Sequence, residues 1–237
     1  MRSEETWSFD FASRLAERGR DRAIPKGQRT VLKLEAGAAA VLNDTPYQLV
    51  RVADITARAG VSRGLFYHYF NDKEAVTLKV VGDFLAAAEE AYGQIHQSED
   101  MYESIYISNL FYLNLYERNA GLMRAILTLA DEHEEFRNSV NDLMHRWHGR
   151  MARTMRAAKG EKQLLLAYAL GGMIDQLCRQ LFVQKSPQLT RLVRDNTELA
   201  EVISLIWYRA IAEAPPAATG ATGKTAKPRR AVRRARS

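Results

Sequence analysis

The stretch Val52–Phe70 constrains the fold more than any other part of the chain, because it has the pattern of two short helices joined by a tight turn. Its first half, VADITARA, carries apolar residues at helical spacing. Gly60 suits the left-handed residue that ends a helix, and Ser62 suits the N-cap of the next one. Such a pair describes a helix-turn-helix, whose second helix enters the DNA major groove. A plain corner between two packed helices fits these features equally well.

A longer stretch around this turn resembles the DNA-binding signature of TetR-family transcriptional regulators. The matching residues are Ile55, Ala59, Gly60, Val61, Ser62, Tyr67, Tyr69, Phe70, Lys73 and Glu74. The resemblance covers residues 28–78. It implies an all-α fold, with an N-terminal three-helix helix-turn-helix DNA-binding domain and a larger helical domain for ligand binding and dimerisation.

The distribution of charge is consistent with such a division of the chain. Residues 1–70 carry a net charge of +3, and residues 71–214 carry −4. This is the asymmetry expected of a DNA-binding head on a body that does not bind DNA. The predicted parts are an N-terminal extension, the helix-turn-helix domain, the ligand-binding and dimerisation domain and a disordered basic tail. Their ranges are 1–25, 26–74, 75–214 and 215–237.

The sequence predicts a packed helix near the N-terminal end and a basic DNA-contacting tail at the C-terminal end. Trp7, Phe9, Phe11 and Leu15 line one side of a helix, which we expect to pack on the body. The arginines around them fit an arm that reaches DNA and a solvated helix face equally well. Residues 215–237 hold seven Lys or Arg and no Asp or Glu. That tail is expected to contact phosphates without reading bases.

By the resemblance, the DNA-facing residues lie on the second helix and its flanks. They are Arg51, Thr56, Ser62, Arg63, Gly64, Leu65, Tyr67, His68, Tyr69 and Lys73. Arg63 suits a bidentate hydrogen bond to guanine, and the tyrosine hydroxyls suit phosphates. Arg51 departs from the serine or threonine usual in the family. Lys73 opposes the dipole of the helix it opens, and the resemblance accounts for it by placing that lysine on a DNA phosphate.

The sequence between residues 100 and 117 is unusually aromatic. Stripes of this kind form a helical core, or they form the wall of a pocket whose apolar ligand is held at its polar end by tyrosine hydroxyls. Methionine adapts to either setting. The candidate ligand-binding residues are Tyr102, Tyr106, Phe111, Tyr112, Tyr116, Met123, Leu127 and Met173.

Residues 163–183 and 198–211 are more apolar than a lone surface helix needs. The resemblance implies that these last two long helices pair with their copies across a twofold axis. The residues expected at that dimer interface are Leu170, Ile174, Leu177, Leu181, Ile203, Ile206 and Trp207. An ordinary intrachain core is the alternative.

The sequence gives little support to other kinds of site. It shows no nucleophile elbow and no glycine loop for phosphate. His145 and His148 have helical spacing, but the gap from His133 is long and no cysteine joins them, so exposed surface histidines are expected rather than a metal site. No cofactor is expected. A single cysteine, the absence of an apolar run of about 18 residues and an N-terminus unlike a signal peptide predict a cytoplasmic location.

Together these features predict a homodimeric, sequence-specific DNA-binding transcriptional regulator that responds to a ligand and is not an enzyme. The resemblance implies a repressor released from a palindromic operator by a small, largely apolar effector, although activation stays open. A ligand-independent architectural protein that binds DNA through its basic tail is one alternative. An enzyme with an unrecognised pocket activity is the other.

Overall fold

The computed structural model describes residues 9–95, 98–155 and 159–212. Within these ranges the structure is helical and contains no β-strand, so the all-α prediction is confirmed. The predictions for Trp7 and for the tail 215–237 lie outside the described residues.

Eleven α-helices follow one another along the described ranges, with one 3-10 turn and one π-helical segment between them. Helices α1 to α5 are Phe11–Arg18, Lys26–Asp44, Val52–Ala59, Arg63–Tyr69 and Lys73–Gly93. Helices α6 to α11 are Met101–Arg118, Ala120–Glu132, Glu134–Thr154, Glu161–Cys178, Pro187–Thr190 and Asn196–Ala212. The 3-10 turn is Tyr47–Leu49, and the π-helical segment Arg179–Val183 continues α9.

Helix α1 packs on the body through an aromatic cluster, as expected for this part of the extension. Asp10 caps it by accepting a hydrogen bond from Ser13 N. Phe9 and Phe11 are each 5% exposed, and their rings lie 6.3 and 5.6 Å from that of Phe84 on α5. Such aromatic pairs contribute roughly 0.5–1.5 kcal/mol beyond the area they bury.

Asn119, at the corner between α6 and α7, fastens the start of α1 to the body. Its Oδ1 accepts a hydrogen bond from Phe11 N at 3.0 Å, and its Nδ2 donates to Phe9 O at 2.6 Å and to Leu115 O at 2.8 Å. Asn119 is completely buried, so each bond satisfies a backbone group that water cannot reach. The N-terminal extension is therefore an integral part of the fold from residue 9.

One hydrophobic core, called the main core below, crosses the domain boundary that the sequence predicts after residue 74. Phe66 of α4, Val80 and Phe84 of α5, and Leu122 of α7 are all fully buried in it. Helices α2 to α4 are called the head below, and α6 to α11 the body. Because they share this core, head and body are packed together rather than linked by an exposed hinge.

The body approaches the head very closely at Gly121, in the first turn of α7. A Cβ there would overlap the carbonyl oxygen of Leu42 and the backbone of Asn43, at the end of α2. A neighbouring guanidinium, that of Arg124, donates to Leu42 O at 2.9 Å. The absence of a side chain at residue 121 therefore allows α7 to pack directly against the backbone of α2.

Two smaller cores hold the body together around α6, α9 and α11. One, called the second core below, contains Leu113, Tyr116, Ile174, Cys178 and Ile203. The other joins the end of α8 to α9 and α11, and its buried members are Ala152, Met155, Ala167, Leu170 and Ile211. Most of the apolar residues of α9 and α11 pack in or against these two cores within the chain.

Substituting Gly121 with alanine should destabilise the protein, because the new methyl group overlaps backbone that cannot move freely. Overpacking of this kind costs about 1–3 kcal/mol, and each kcal/mol lowers Tm by roughly 2–4 °C in a chain of this size. Gly82→Ala on α5 is the matched control, because a Cβ there meets nothing within 4 Å. Thermal unfolding should show a lower Tm for Gly121→Ala and an equal or higher Tm for Gly82→Ala. Equal Tm values for both variants would contradict the close-approach argument.

Candidate nucleic-acid interface

The turn between α3 and α4 is fixed by local hydrogen bonds of the Schellman type. Gly60 has φ 66° and ψ 35°, the left-handed conformation that the sequence predicts for it. Its N–H donates to Ala57 O at 3.3 Å, and Val61 N–H donates to Thr56 O at 3.1 Å. Val61 then packs against the main core. The turn thereby sets the direction in which α4 leaves α3.

Helix α4 is held by its inner face, which leaves its outer face free. Ser62 accepts a hydrogen bond from Leu65 N at 3.2 Å and so is the predicted N-cap. Phe66 is fully buried and Phe70 is 9% exposed, and both belong to the main core as expected. Because these rings are locked in the core, the opposite edge of α4 is presented on a rigid support.

That opposite edge carries most of the residues predicted to face DNA. The exposed members are Ser62, Arg63, Gly64, Leu65, Tyr67 and His68, and Tyr69 is half-buried. Leu65 and Tyr67 are 38% and 56% exposed, although both are large apolar residues. A Cβ on Gly64 would meet nothing within 4 Å, so the fold itself does not require glycine there. The structure thus gathers these seven residues on or beside one short helix.

Thr56 lies apart from this exposed edge. It is 5% exposed, and its hydroxyl donates to Ala53 O at 3.1 Å within α3. The side chain is turned into the head, so the structure does not place it with the other predicted contacts.

Arg51 opens α3 but is already paired with Asp54. The carboxylate of Asp54 accepts from the Arg51 backbone N–H at 3.1 Å and from its guanidinium Nε and Nη2 at 3.1 and 3.2 Å. The hydrogen bonds from this guanidinium lower the pKa of Asp54. Asp54 therefore forms the N3 half of a capping box, whereas the Arg51 guanidinium has no acceptor to take the place of the family's usual serine or threonine hydroxyl. The Arg51 side chain remains 78% exposed, with donors left for a phosphate.

Lys73 has an intrachain role that the sequence did not indicate. Its Nζ donates to the carbonyl oxygens of Tyr47, Gln48 and Val50 at 3.0–3.1 Å, and lies 4.8 Å from the centre of the Tyr47 ring. An ammonium group has three donors, so these three carbonyls occupy them. Lys73 therefore holds the segment that leads into α3, and a phosphate contact would compete with these bonds.

The eight predicted ligand-binding residues are divided among different surroundings. Phe111 lies in the main core, and Leu127 is 38% exposed. Tyr102 packs edge-on against Tyr208. The remaining five line or adjoin the second core, and they are Tyr106, Tyr112, Tyr116, Met123 and Met173.

Within this last group, Tyr112 forms a buried polar contact in the body. Its hydroxyl hydrogen-bonds Asp175 Oδ1 at 2.9 Å, and burial raises the pKa of the Asp175 carboxyl group. The structure also contains a cleft of about 330 Å³ among α1, α2 and α3 and another of about 180 Å³ between α1 and α5. Neither is lined by any of the eight residues.

The residues predicted at a dimer interface lie mainly inside the chain. Leu170, Ile174, Leu181 and Ile203 are each at most 8% exposed, and Leu177 and Trp207 pack against the second core. Only Ile206 is largely exposed, at 46%. The large apolar side chains that α9 and α11 do expose are Leu165, Tyr168, Val202, Leu205, Ile206 and Tyr208.

The three histidines considered for a metal site lie in different contacts. His133 is 3.5 Å from a carboxylate oxygen of Glu74, whereas His145 and His148 contact Tyr168. In the described part of the chain no three His, Cys, Asp or Glu side chains are grouped to hold a metal ion. None of the helices in those ranges has the length and apolar character to cross a membrane.

Comparison with known proteins gives a family match over the head. Residues 35–80 match the family model described as bacterial regulatory proteins, tetR family. The HTH-type transcriptional regulator EthR of Mycolicibacterium smegmatis is 27% identical over 132 residues, which cover 55% of this chain and 61% of that protein. EthR of Mycobacterium tuberculosis is 39% identical over 74 residues, or 31% of this chain and 34% of that protein. The chain thus matches less than two thirds of either relative.

Solved structures extend the likeness to most of the fold. A transcriptional regulator from Rhodococcus sp. Rha1 matches with a TM-score of 0.65 at 15% identity, covering 81% of this chain and all of that one. A TerR/AcrR-family regulator from Aquifex aeolicus VF5 matches with a TM-score of 0.56 at 19% identity, covering 75% of this chain and 99% of that one. At these identities the match concerns the fold alone.

A helix-turn-helix presented by an all-helical body defines a protein with the architecture of a DNA-binding regulator. The resemblance to the TetR family is confirmed, because the family model matches the head and the EthR relatives are similar to part of the chain. The structural neighbours share its fold. The family consists of regulatory proteins, so the prediction that the chain is not an enzyme is confirmed at this level.

Replacing Lys73 with methionine should destabilise the protein even without DNA, because the carbonyls of Tyr47 and Val50 lose a charged donor. Leaving such groups unsatisfied costs about 1–3 kcal/mol. Lys26→Met is the matched control, because Lys26 is an exposed lysine that also lies in the first turn of a helix. Urea unfolding should show the loss for Lys73→Met alone. A Lys73 variant as stable as the control would contradict this intrachain role.

Proposed function

We propose that the protein is a sequence-specific DNA-binding transcriptional regulator that reads the major groove with α4. The observation that carries the proposal is the exposed edge of α4, held from behind by Phe66 and Phe70. A helix read in the groove needs a rigid backbone and exposed side chains at its start. The edge from Arg63 to His68 has both properties.

Individual residues of this edge suit different contacts with DNA. The Arg63 guanidinium suits guanine O6 and N7, and Leu65 suits a thymine methyl group. Tyr67 and Tyr69 suit phosphate oxygens, which fix register without reading sequence. Gly64 costs about 1 kcal/mol relative to alanine in a helix, yet no contact within the described chain requires it. Close approach of the α4 backbone to DNA gives this glycine a reason.

A homodimer supports the same function, because two heads recognise two half-sites one helical turn apart. The proposed dimer interface is a set of exposed apolar residues, called the dimer stripe below. It consists of Val202, Leu205 and Ile206 on α11 with Leu165 and Tyr168 on α9. These positions recur at spacings of three and four, so each set shares one face of its helix. This stripe replaces the buried residues expected from the sequence as the proposed interface.

Ligand response and repression are the remaining parts of the proposal. A small, largely apolar effector that enters the body near Tyr112 and Met173 would act on α5, which joins body and head. The effector must bind more tightly to the arrangement that cannot bind DNA, since equal affinity for both arrangements would shift nothing. A repressor then leaves its operator when the effector binds.

Arg63→Ala should weaken operator binding by about 1–3 kcal/mol and relax the preference at one base position. The reason is the loss of a bidentate base contact at the exposed start of α4. Arg153→Ala, an exposed arginine in the last turn of α8, is the matched control. Selection from random DNA, followed by affinity measurements at fixed salt, gives both quantities. An unchanged base preference would remove Arg63 from direct readout.

Ile206→Asp should dissociate the dimer, because it places a charge in the middle of the proposed apolar interface. Leu192→Asp makes the same change at a residue that is 78% exposed but lies on neither helix, so it should leave the dimer intact. Sedimentation velocity distinguishes the two results. A folded dimer of the Ile206 variant would locate the interface elsewhere. Trp207 is unsuitable for this test, because its indole ring packs inside the chain.

A further inference from the structure

A cleft on the head lies apart from both the α4 edge and the body. Its volume is about 330 Å³, and its walls come from α1, α2 and α3. We call it the head cleft. None of its lining residues belongs to α4, to the proposed dimer stripe or to the predicted ligand-binding set. Its size is at the lower end of the range that small-molecule sites occupy, roughly 300–1,000 Å³.

The floor of the head cleft is made of methyl groups. The five alanines that line it are Ala12, Ala16, Ala36, Ala40 and Ala59. Gly37 fixes the inner wall, because a Cβ there would lie 2.9 Å from Ile55 O and 3.0 Å from the Ala59 Cβ. Helices α2 and α3 are therefore as close as they can be, and the space above them is bounded by small apolar groups. A flat apolar group fits such a floor.

The charged residues of the head cleft are all basic. They are Arg20, Lys33 and Arg58, and no carboxylate lines the cleft. Arg58 is paired with Asp44 at 2.7 Å. Arg20 and Lys33 have no ion-pair partner within 4.0 Å in the described ranges of the chain.

Two features outside the cleft offset part of this positive charge. The Asp10 carboxylate accepts a hydrogen bond from Oγ of the lining residue Ser13 at 2.9 Å, and the C-terminus of α1 lies beside Lys33. The aliphatic stem of Lys33 passes over Gly19, the C-cap of α1, with its Cγ 3.3 Å from where a Cβ on Gly19 would lie. A helix C-terminus offsets roughly half an elementary charge. Arg20 and Lys33 together supply two positive charges, so a net positive charge is left for an anion.

We infer that the head cleft binds a small organic anion: a carboxylate or a phosphate carried on a flat apolar group. Arg20 and Lys33 would hold the anionic end through charge-assisted hydrogen bonds, and the alanine floor would cover the apolar part. Arginine and lysine on an ordinary solvated face do not enclose an apolar concavity. Here they border one, and that combination selects for both halves of such a ligand.

The five floor alanines offer a direct test in the intact wild-type protein. Their methyl groups are labelled with 13C and followed by NMR during titration with benzoate, which carries a carboxylate on a flat ring. We expect the five methyl signals to shift and saturate. The signals of Ala152 and Ala167, which are buried in the body, should stay unchanged and serve as internal controls.

Three further probes separate the two halves of the ligand. Phenyl phosphate carries a phosphate in place of the carboxylate, and saturation by either compound or by both supports the inference and identifies the anion. Benzamide has the shape of benzoate without its charge, and inorganic phosphate has charge without an apolar part. Benzamide should bind about tenfold more weakly, because it loses a charged hydrogen bond. Inorganic phosphate should also bind more weakly, because it buries no apolar surface against the alanines. Benzamide or phosphate binding as tightly as benzoate would overturn the proposal.

A pair of double variants tests the basic residues themselves. Arg20→Gln with Lys33→Gln should weaken benzoate binding by about tenfold or more, since two charged donors are lost. Arg22→Gln with Lys26→Gln removes the same charge from the same region without touching the cleft, and should leave the affinity within about twofold. Equal affinities in both double variants would overturn the proposal.

The outcome does not depend on DNA binding or on the effector in the body. If the first double variant unfolds, the wild-type titrations alone decide. Methyl shifts confined to the body, or no saturable shift at the floor alanines, would show that no such ligand occupies the head cleft.

Discussion

The corner between α6 and α7 determines how the head sits on the body. Asn119 hydrogen-bonds the backbone at the start of α1, and Arg124 hydrogen-bonds the end of α2. Gly121, between them, lets α7 touch the α2 backbone directly. These contacts lie within six residues of one another and involve two separate helices of the head region. Motion of α7 relative to α2 would therefore strain or break these contacts.

The local features of the helix-turn-helix could be predicted from the sequence, because they depend on neighbouring residues. Gly60 adopts the left-handed conformation, Ser62 caps α4, and Phe66 and Phe70 enter the core. Glycine at such a position, a capping hydroxyl and apolar residues four apart each act over a single helical turn. Their outcome does not require knowledge of the rest of the chain.

Other features depend on partners that are distant in sequence, and the sequence could not supply them. Lys73 bonds to carbonyls more than 20 residues earlier, which a resemblance based on DNA contact does not reveal. On α11, apolar residues occur on nearly every side, so periodicity did not separate the face covered by α6 from the exposed one. Ile203 turns inward and Val202 outward for this reason. The head cleft likewise exists only because three helices meet, although its alanines and arginines are visible in the sequence.

The bonds of Asn119 also bear on the order in which the chain can fold as it leaves the ribosome. Phe11 N and its acceptor on Asn119 are separated by 108 residues. The start of α1 therefore cannot reach its final position until more than a hundred further residues have been added, and until then Phe9 and Phe11 have no Asn119 to bond with. Contacts of such long sequence separation form late, because closing the loop costs entropy before the contact gains anything. The start of α1 thus reaches its bonds with Asn119 after helices α2 to α4 can already have formed their local turns.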